Sequence, residues 1–475
     1  MMQRWIAATV CAVLALPAVP WTVSDAAAQK ANVRVRVPPP HIRLHVPTVI
    51  PRPLANRPER LLPQKEKEKQ TKRRVIRVPR GLRQVRLPDL PPLPVPNPSR
   101  FAQASREPDV VVVSLPAGAS NAVADAIARD NNLTVLAQSD VALLGLKIVR
   151  LRIPDGRPVD DVVAALGGDA RLRAAQSSNL FTLDGGVGSA APQYAAAKLH
   201  LNALHRVAGG RAIRIAIIDS GVDTRHETLR AAHIRTESVL DGGKVTPADH
   251  GTQVAGIIAA SGKLTGIAPQ ADLIAIEAFG KAKKGAARST SYDIVRALDR
   301  AYAEHAQVIN MSFAGAADPL VIEALDALAS KGVVLVAAAG NEGPGAPPAY
   351  PGAHPGTIAV TATDAHDAIL AVANRGSYIA LAAPGVDIIA PGAGGRYLVA
   401  SGTSFAAAYA SGAAALLLQS RPGLTPASVR DLLTETAHDL GKPGPDPEFG
   451  AGLIDPLAAL AGPERLAGPA RRMRP

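Results

Sequence analysis

The sequence predicts an α/β fold, a doubly wound and mostly parallel sheet, preceded by a small α+β unit. Three observations predict it. Five apolar runs between residues 213 and 363 have strand length and are separated by stretches of helical spacing. Near-continuous apolar strands alternating with helices belong to a parallel sheet covered on both faces. Residues 109–184 order their runs as β-α-β-β-α-β, which makes a small ferredoxin-like unit. Residues 405–418, FAAAYASGAAALLL, suit a buried helix, because small side chains let it sit close against a sheet. At 475 residues there is room for one large domain plus accessories. Hydrophobic residues make up 47% and aromatics only 3%, so the core must be built from Ala, Val, Leu and Ile.

Taken in order, residues 1–28 have the layout of a signal peptide. Arg4 precedes the apolar run IAATVCAVLALPAV, and Ala26-Ala27-Ala28 offers a small-residue cleavage site. The alternative is an uncleaved membrane anchor, but the run is short and broken by Pro17 and Pro20. Cys11, the sole cysteine, lies in this run, so the mature protein is expected to contain no disulfide. No later stretch is apolar and long enough to span a membrane. The signal-peptide layout makes a secreted or periplasmic protein the expectation.

Residues 29–108 contain 16 prolines around the charged run QKEKEKQTKRR. Proline removes donors and fixes extended geometry, which predicts a disordered or polyproline-like segment. Residues 30–108 hold 19 Lys+Arg against 5 Asp+Glu, a net of +14. The full sequence has a net charge of +12, so the remainder sums to −2. The basic charge therefore belongs to one segment and does not argue for nucleic-acid binding by the main domain. This segment reads as a solvated spacer or as a tether to an anionic envelope surface.

In the α+β unit, DVVVVSLPAG is a strand entering a turn and NAVADAIARDNN a helix. LTVLAQ and KIVRLRIP are strands around a connection near Asp140, PVDDVVAALGGDARL is a second helix, and SSNLFTL closes the unit. Residues 185–197, GGVGSAAPQYAAA, read as an exposed linker. The main domain spans 198–462. Its strands are IRIAII (213–218), DLIAIEA (272–278), QVINMSF (307–313), GVVLVAAA (332–339) and TIAVTAT (357–363). Helical stretches such as TQVAGIIAA, STSYDIVRALDRAYAEH and LVIEALDALASK lie between them. Residues 463–475 form a basic tail, expected to be disordered and too short to build a membrane barrel.

Reactive residues in such sheets lie beyond the carboxyl ends of strands, and four polar residues stand there. Asp219 ends the strand in IRIAIIDSGVD, and His250 starts a helix in DHGTQVAGIIAA. Asn341 follows a strand in VVLVAAAGNEG, and Ser404 starts the Ala-rich helix in SGTSFAA. In isolation these read as a strand-end cap, a helix N-terminal residue, a turn residue and an N-cap. In order, Asp, His and Ser stand 31 and 154 residues apart. With these four local motifs the sequence resembles the subtilisin-like serine proteases over about residues 195–461, including FGAGLIDPLAAL.

The resemblance implies an endopeptidase that needs no cofactor for its chemistry. It implies that Ser404 attacks the peptide carbonyl, His250 moves the proton, Asp219 holds the His250 tautomer, and Asn341 with the Ser404 N–H binds the oxyanion. Polypeptide substrate would lie as an extended strand along Ser312, Phe313, Ala314 and Gly315. The primary pocket would be lined by Ser312 to Ala314 and by Ala338, Ala339 and Gly340. Glu342 is expected at its rim, where it would favour a basic side chain, or else stands as a solvated loop charge. Phe313 replaces the usual Leu and is expected to reshape the adjoining subsite or simply to pack.

The resemblance also reinterprets residues 109–184 as a propeptide that inhibits the enzyme until cut between about Leu183 and Tyr194. The alternative is a permanently attached accessory domain. Some positions depart from the family pattern. Ala408, followed by Tyr409, replaces a proline, and Gln253 replaces a common His. The short connection GKLTG stands where bacterial subtilisins often carry a calcium loop, so no strong calcium site is expected there, weaker sites being left open. Asp223 and His226 read as loop structure. The rival reading is a non-catalytic envelope-binding protein on the same scaffold.

Overall fold

A computed structural model describes residues 106–183, 186–187, 193–280 and 287–462. The expected signal peptide, nearly all of the Pro-rich segment and the basic tail lie outside them.

The N-terminal module runs β1 (Arg106–Pro116), α1 (Asn121–Asp130), β2 (Thr134–Val141), β3 (Leu146–Arg152), α2 (Val159–Leu166) and β4 (Ala174–Leu183), the expected order. β1 lies between β3 and β4, antiparallel to both. Strand alternation sorts its valines. Val111 and Val113 pack under α1 and α2 with Ile127 and Leu166. Val112 points the other way and joins Ile148, Phe181 and Leu183 in the core of the large domain.

After β5 (Gly186–Val187) and the short helices α3 (Tyr194–Lys198) and α4 (Leu201–Leu204), the large domain begins. It runs β6 (Arg214–Asp219), β7 (His233–Ser238), α5 (Asp249–Ala259), β8 (Asp272–Glu277), β9 (Arg288–Thr290), α6 (Ser291–Ala303), β10 (Val308–Met311), β11 (Phe313–Gly315), α7 (Pro319–Ser330) and β12 (Val334–Ala338). β13 (Thr357–Thr363), β14 (Ile379–Pro384), the hairpin β15 (Ile388–Gly392) and β16 (Arg396–Ser401), α8 (Thr403–Ser420), α9 (Pro426–Glu435) and α10 (Pro456–Ala461) complete it.

The seven-stranded sheet has the order β14-β13-β12-β10-β6-β8-β7, and every neighbouring pair in it is parallel. Winding reverses between β6 and β10, so their carboxyl ends form the switch-point crevice. Ile215 and Ile217 of β6 face α5 and α8, while Ala216 and Ile218 face α6 and α7. Capping fixes where the second pair of helices starts. Thr290 accepts from Asp293 N, and Asp318 accepts from Val321 N. The Ala-rich α8 is buried from Thr403 to Leu417. It passes so close to its neighbour that a Cβ at Gly412 would lie 2.0 Å from Ile267 Cγ2.

Two expectations need correction. Residues 185–197 are not simply an exposed linker. Gly186 and Val187 pair with β16, and Tyr194 opens a helix in which Ala195 is buried. Apolar contact around Ala195 and Leu199 accounts for this. The first strand also begins at Arg106 rather than at residue 109, because Glu107 is held by Arg150 of β3 and Ser178 of β4.

Candidate active site

β6 delivers Asp219 to the crevice with its side chain fully buried. Ser220 N and Ser220 Oγ both donate to Asp219 Oδ1, at 2.7 and 3.1 Å. Gly251 N donates to Ser220 Oγ at 3.0 Å, which ties the strand end to the start of α5. The approach is close: a Cβ at Gly251 would lie 2.1 Å from Ser220 O.

His250, in the first turn of α5, places Nδ1 at 2.8 and 2.9 Å from the two Asp219 oxygens. A carboxylate only accepts, so Nδ1 carries the proton and Nε2 is the acceptor nitrogen. Nε2 is buried with no hydrogen-bond partner among the described residues. The imidazole leans on Phe405, with ring centroids 5.6 Å apart.

Phe405 follows Ser404, which is buried in the first turn of α8. Helix N–H groups without intrahelical partners gather there and favour negative charge. In this structure Ser404 Oγ donates to Ser312 O at 2.9 Å, and Ser312 Oγ donates back to Ser404 O at 2.8 Å. Asn310 Nδ2 donates to Ser312 Oγ and Ser411 Oγ donates to Asn310 Oδ1, both at 2.9 Å. These buried polar groups pin the start of α8 to the end of β10. Asn310 and Ser411 were not singled out from sequence. The available signal was a polar residue inside the otherwise apolar VINM strand.

Asn341 lies in the loop after β12. Its Oδ1 accepts from Thr403 N at 3.1 Å, so Nδ2 is the donor that remains. Thr403 Oγ1 accepts from Gly340 N at 3.2 Å. Thr403, also missed from sequence, therefore joins the Asn341 loop to the start of α8.

The expected substrate strand is occupied by the protein's own N-terminal module. β4 is inserted antiparallel between β9 and β11, with Thr182 opposite Ala314 and Leu183 opposite Phe313. Beyond the crevice β5 pairs with β16, Gly186 opposite Ser401 and Val187 opposite Ala400. Of the expected cleavage window, residues 184–185 and 188–192 lie outside the described residues. Phe313 packs between Phe181, edge-to-face with ring centroids 5.9 Å apart, and Phe279 at 5.1 Å.

The cavity beside this strand is lined by Ala314, Gly315, Glu342 and residues 346–349. Ser312, Phe313, Ala338, Ala339 and Gly340 are buried and are not among its lining residues. The stretch APPA (346–349) supplies that wall instead; its lack of polar groups left no chemical signal in the sequence. Asn374 Oδ1 accepts from Glu342 N and holds that residue at the cavity wall.

Ala408, Tyr409 and Gln253 are all buried, and burial raises the pKa of the Tyr409 hydroxyl. At the short connection after α5, Gln193 Nε2 donates to Thr265 O at 2.8 Å and Thr265 N donates to Gln193 Oε1 at 3.0 Å. A calcium ion needs six to eight oxygens. No group of three or more His, Cys, Asp or Glu among the described residues could hold a metal ion. No helix among them is long and apolar enough to cross a membrane.

Comparison with known proteins bears on the family and the fold. The sequence pattern of the subtilase family, peptidase S8, matches residues 210–452. The minor extracellular protease Epr of Bacillus subtilis is 33% identical over 52% of this chain and 38% of its own length. Subtilisin E of the same organism is 35% identical over 53% of this chain and 66% of its own. The match thus spans less than two thirds of either relative. Subtilisin of Bacillus pumilus is 35% identical, with 91% of its length covered. Among solved structures, fervidolysin from Fervidobacterium pennivorans, a keratinolytic enzyme related to subtilisin, superposes with a TM-score of 0.66 at 26% identity. That match covers 76% of this chain and 62% of fervidolysin.

Proposed function

This chain belongs to the subtilase family of serine peptidases, and from that premise we propose that it is an exported endopeptidase that matures by cutting its own N-terminal module away. Ser404 is the nucleophile, His250 the base and Asp219 its orienting partner, while Asn341 Nδ2 and the Ser404 N–H bind the oxyanion. The observation that carries this reading is the pair of contacts from His250 Nδ1 to both Asp219 oxygens. They hold the neutral ring with Nε2 as the acceptor, against the residue that follows Ser404.

The chemistry follows from that arrangement. Ser404 Oγ turns from Ser312 O, gives its proton to His250 Nε2 and bonds to the substrate carbonyl carbon. The carbonyl electron pair moves to oxygen. Collapse of the intermediate expels the amine, which takes the proton from His250. Water then repeats the sequence on the acyl-enzyme. No cofactor enters these steps. Asn341→Ala is expected to lower kcat about 10²–10³-fold with KM nearly unchanged, a magnitude carried over from subtilisin itself. Steady-state kinetics on a peptide anilide read it.

The N-terminal module is the propeptide and the enzyme's first substrate and inhibitor. In support, β4 lies between β9 and β11 as a substrate strand would, and β5 continues onto β16. Cleavage accordingly falls at one of the bonds from Leu183 to Gly186. Residues 29–108 serve as a spacer or an anionic-surface tether, and the product is secreted or periplasmic.

Labelling with a fluorophosphonate tests the reading. The expected adduct maps to the Ser404 peptide and disappears when the protein is unfolded first. A matured, folded protein that takes no label would overturn the catalytic reading and leave the scaffold reading standing.

A further inference from the structure

We propose that Asp223 is a positioning residue for the leaving-group side of the substrate, acting through the β15–β16 hairpin. The inference rests on the reading of Ser404 as nucleophile. β16 runs directly into Gly402-Thr403-Ser404, and its free edge pairs with Gly186 and Val187, beyond the cleavage point. It is therefore the surface on which the residues following the cut lie. The strands that hold the other side, β9 and β11, belong to a different sheet. β16 sits in a three-stranded sheet with only β15 and β5. Once β5 has given way to substrate, the place of β16 depends on what anchors its hairpin.

The anchor is built from two carboxylates. Gly394 N donates to Asp223 Oδ2 at 2.8 Å, and Ala393 N donates to Asp249 Oδ1 at 3.0 Å. Arg396 Nη2 bonds both Asp249 oxygens, at 2.6 and 2.9 Å, and Arg396 O faces His226 Nε2 at 2.9 Å. The Asp223 side chain is 6% exposed, against 42% for that of Asp249, so it is the better shielded of the two. Its own N–H donates to Thr252 Oγ1 in α5 at 2.9 Å. Burial alone would raise its pKa, but the N–H groups of Gly394 and Arg225 outweigh it and hold the carboxyl below its usual range.

Asp223 stands four residues after Asp219, and Asp249 immediately precedes His250. The segments carrying the triad's acid and base thus also fix the hairpin tip. A substrate that reaches past the cut is registered against the same frame that orients the base. A substrate ending at the cut has no need of it.

The test compares two substrates. One is a peptide p-nitroanilide, which ends at the cut. The other is an internally quenched peptide with the same acyl side and four further residues. Asp223→Asn keeps the size and one acceptor oxygen but loses the charge. Losing one charge-assisted bond is expected to lower the kcat/KM ratio of extended peptide to anilide about tenfold, chiefly through KM. Arg396→Gln, with a side chain 58% exposed and so tolerant of change, is expected to lower the same ratio about threefold through Asp249. It carries the test if the first variant does not fold. An equal fall on both substrates, or no change in the ratio, overturns the proposal. Wild-type protein that cleaves neither substrate and takes no fluorophosphonate would instead sink the catalytic reading beneath it.

Discussion

With Ser404→Ala, the purified protein keeps its N-terminal module covalently attached, whereas wild type separates into two pieces cut between Leu183 and Gly186. The expected loss of kcat is about 10⁶-fold, a size carried over from subtilisin, where removing the nucleophile costs about as much as removing the whole triad. The side chain lost is small, and its Oγ donates to Ser312 O. Ser312 Oγ still donates to Ser404 O, a backbone atom, so the helix start stays anchored. The variant should fold as the wild type does, which isolates chemistry from stability.

Covalent state must be read under denaturing conditions, because the cut pieces should stay together. Leu143 N donates to Asp299 Oδ1 at 2.6 Å, and Gln176 and Asn179 both donate to the buried Asp318 that caps α7. Val112, Ile148 and Phe181 are buried in the large domain's core. Intact mass with N-terminal sequencing gives the answer. Wild type and variant both remaining whole would mean that Ser404 does not cut its own polypeptide. Both being cut at the same bond would place the activity in another protein.

Five of the seven strands of the parallel sheet were legible because they are apolar on both faces, and so were the helices between them. What escaped was β14, an apolar run beyond the last strand read, and structure whose side chains carry no pattern. β7 is a polar edge strand, HIRTES, and β15 contains Pro391 beside a glycine-rich tip. The places of Asp219, His250 and Ser404 could be read because strand ends and helix starts punctuate the sequence around them. The partners Ser220, Thr403, Asn310 and Ser411 could not, because their roles depend on contacts between segments 31 to 101 residues apart. Asp223 and His226 do lie in a loop. Their part in holding Gly394 and Arg396 is a contact across about 170 residues that no local motif announces.

Asp219→Asn is expected to lower kcat about 10⁴-fold with little change in KM, the size of the same change in a Ser-His-Asp protease of another fold. The argument is one of tautomers. Two donors, Ser220 N and Ser220 Oγ, meet Oδ1, so an asparagine must keep its carbonyl oxygen there. Its Nδ2 then faces His250 Nδ1 as a donor. Oδ1 still lies 2.8 Å from Nδ1 as an acceptor, but a proton on Nδ1 would meet the amide N–H 2.9 Å away, so the tautomer with Nδ1 as acceptor and the proton on Nε2 is favoured. Nε2 is the atom that has to take the Ser404 proton, so the base is lost while the geometry survives. The opposite amide orientation would set Nδ2 against Ser220 N and is disfavoured for the same reason. Thermal melting should therefore shift little while turnover collapses, and Asp219→Ala should not be rescued by added formate, because the cavity left is fully buried. A variant Asp219→Asn that keeps more than a tenth of wild-type turnover would show that His250 does not depend on Asp219 for its tautomer.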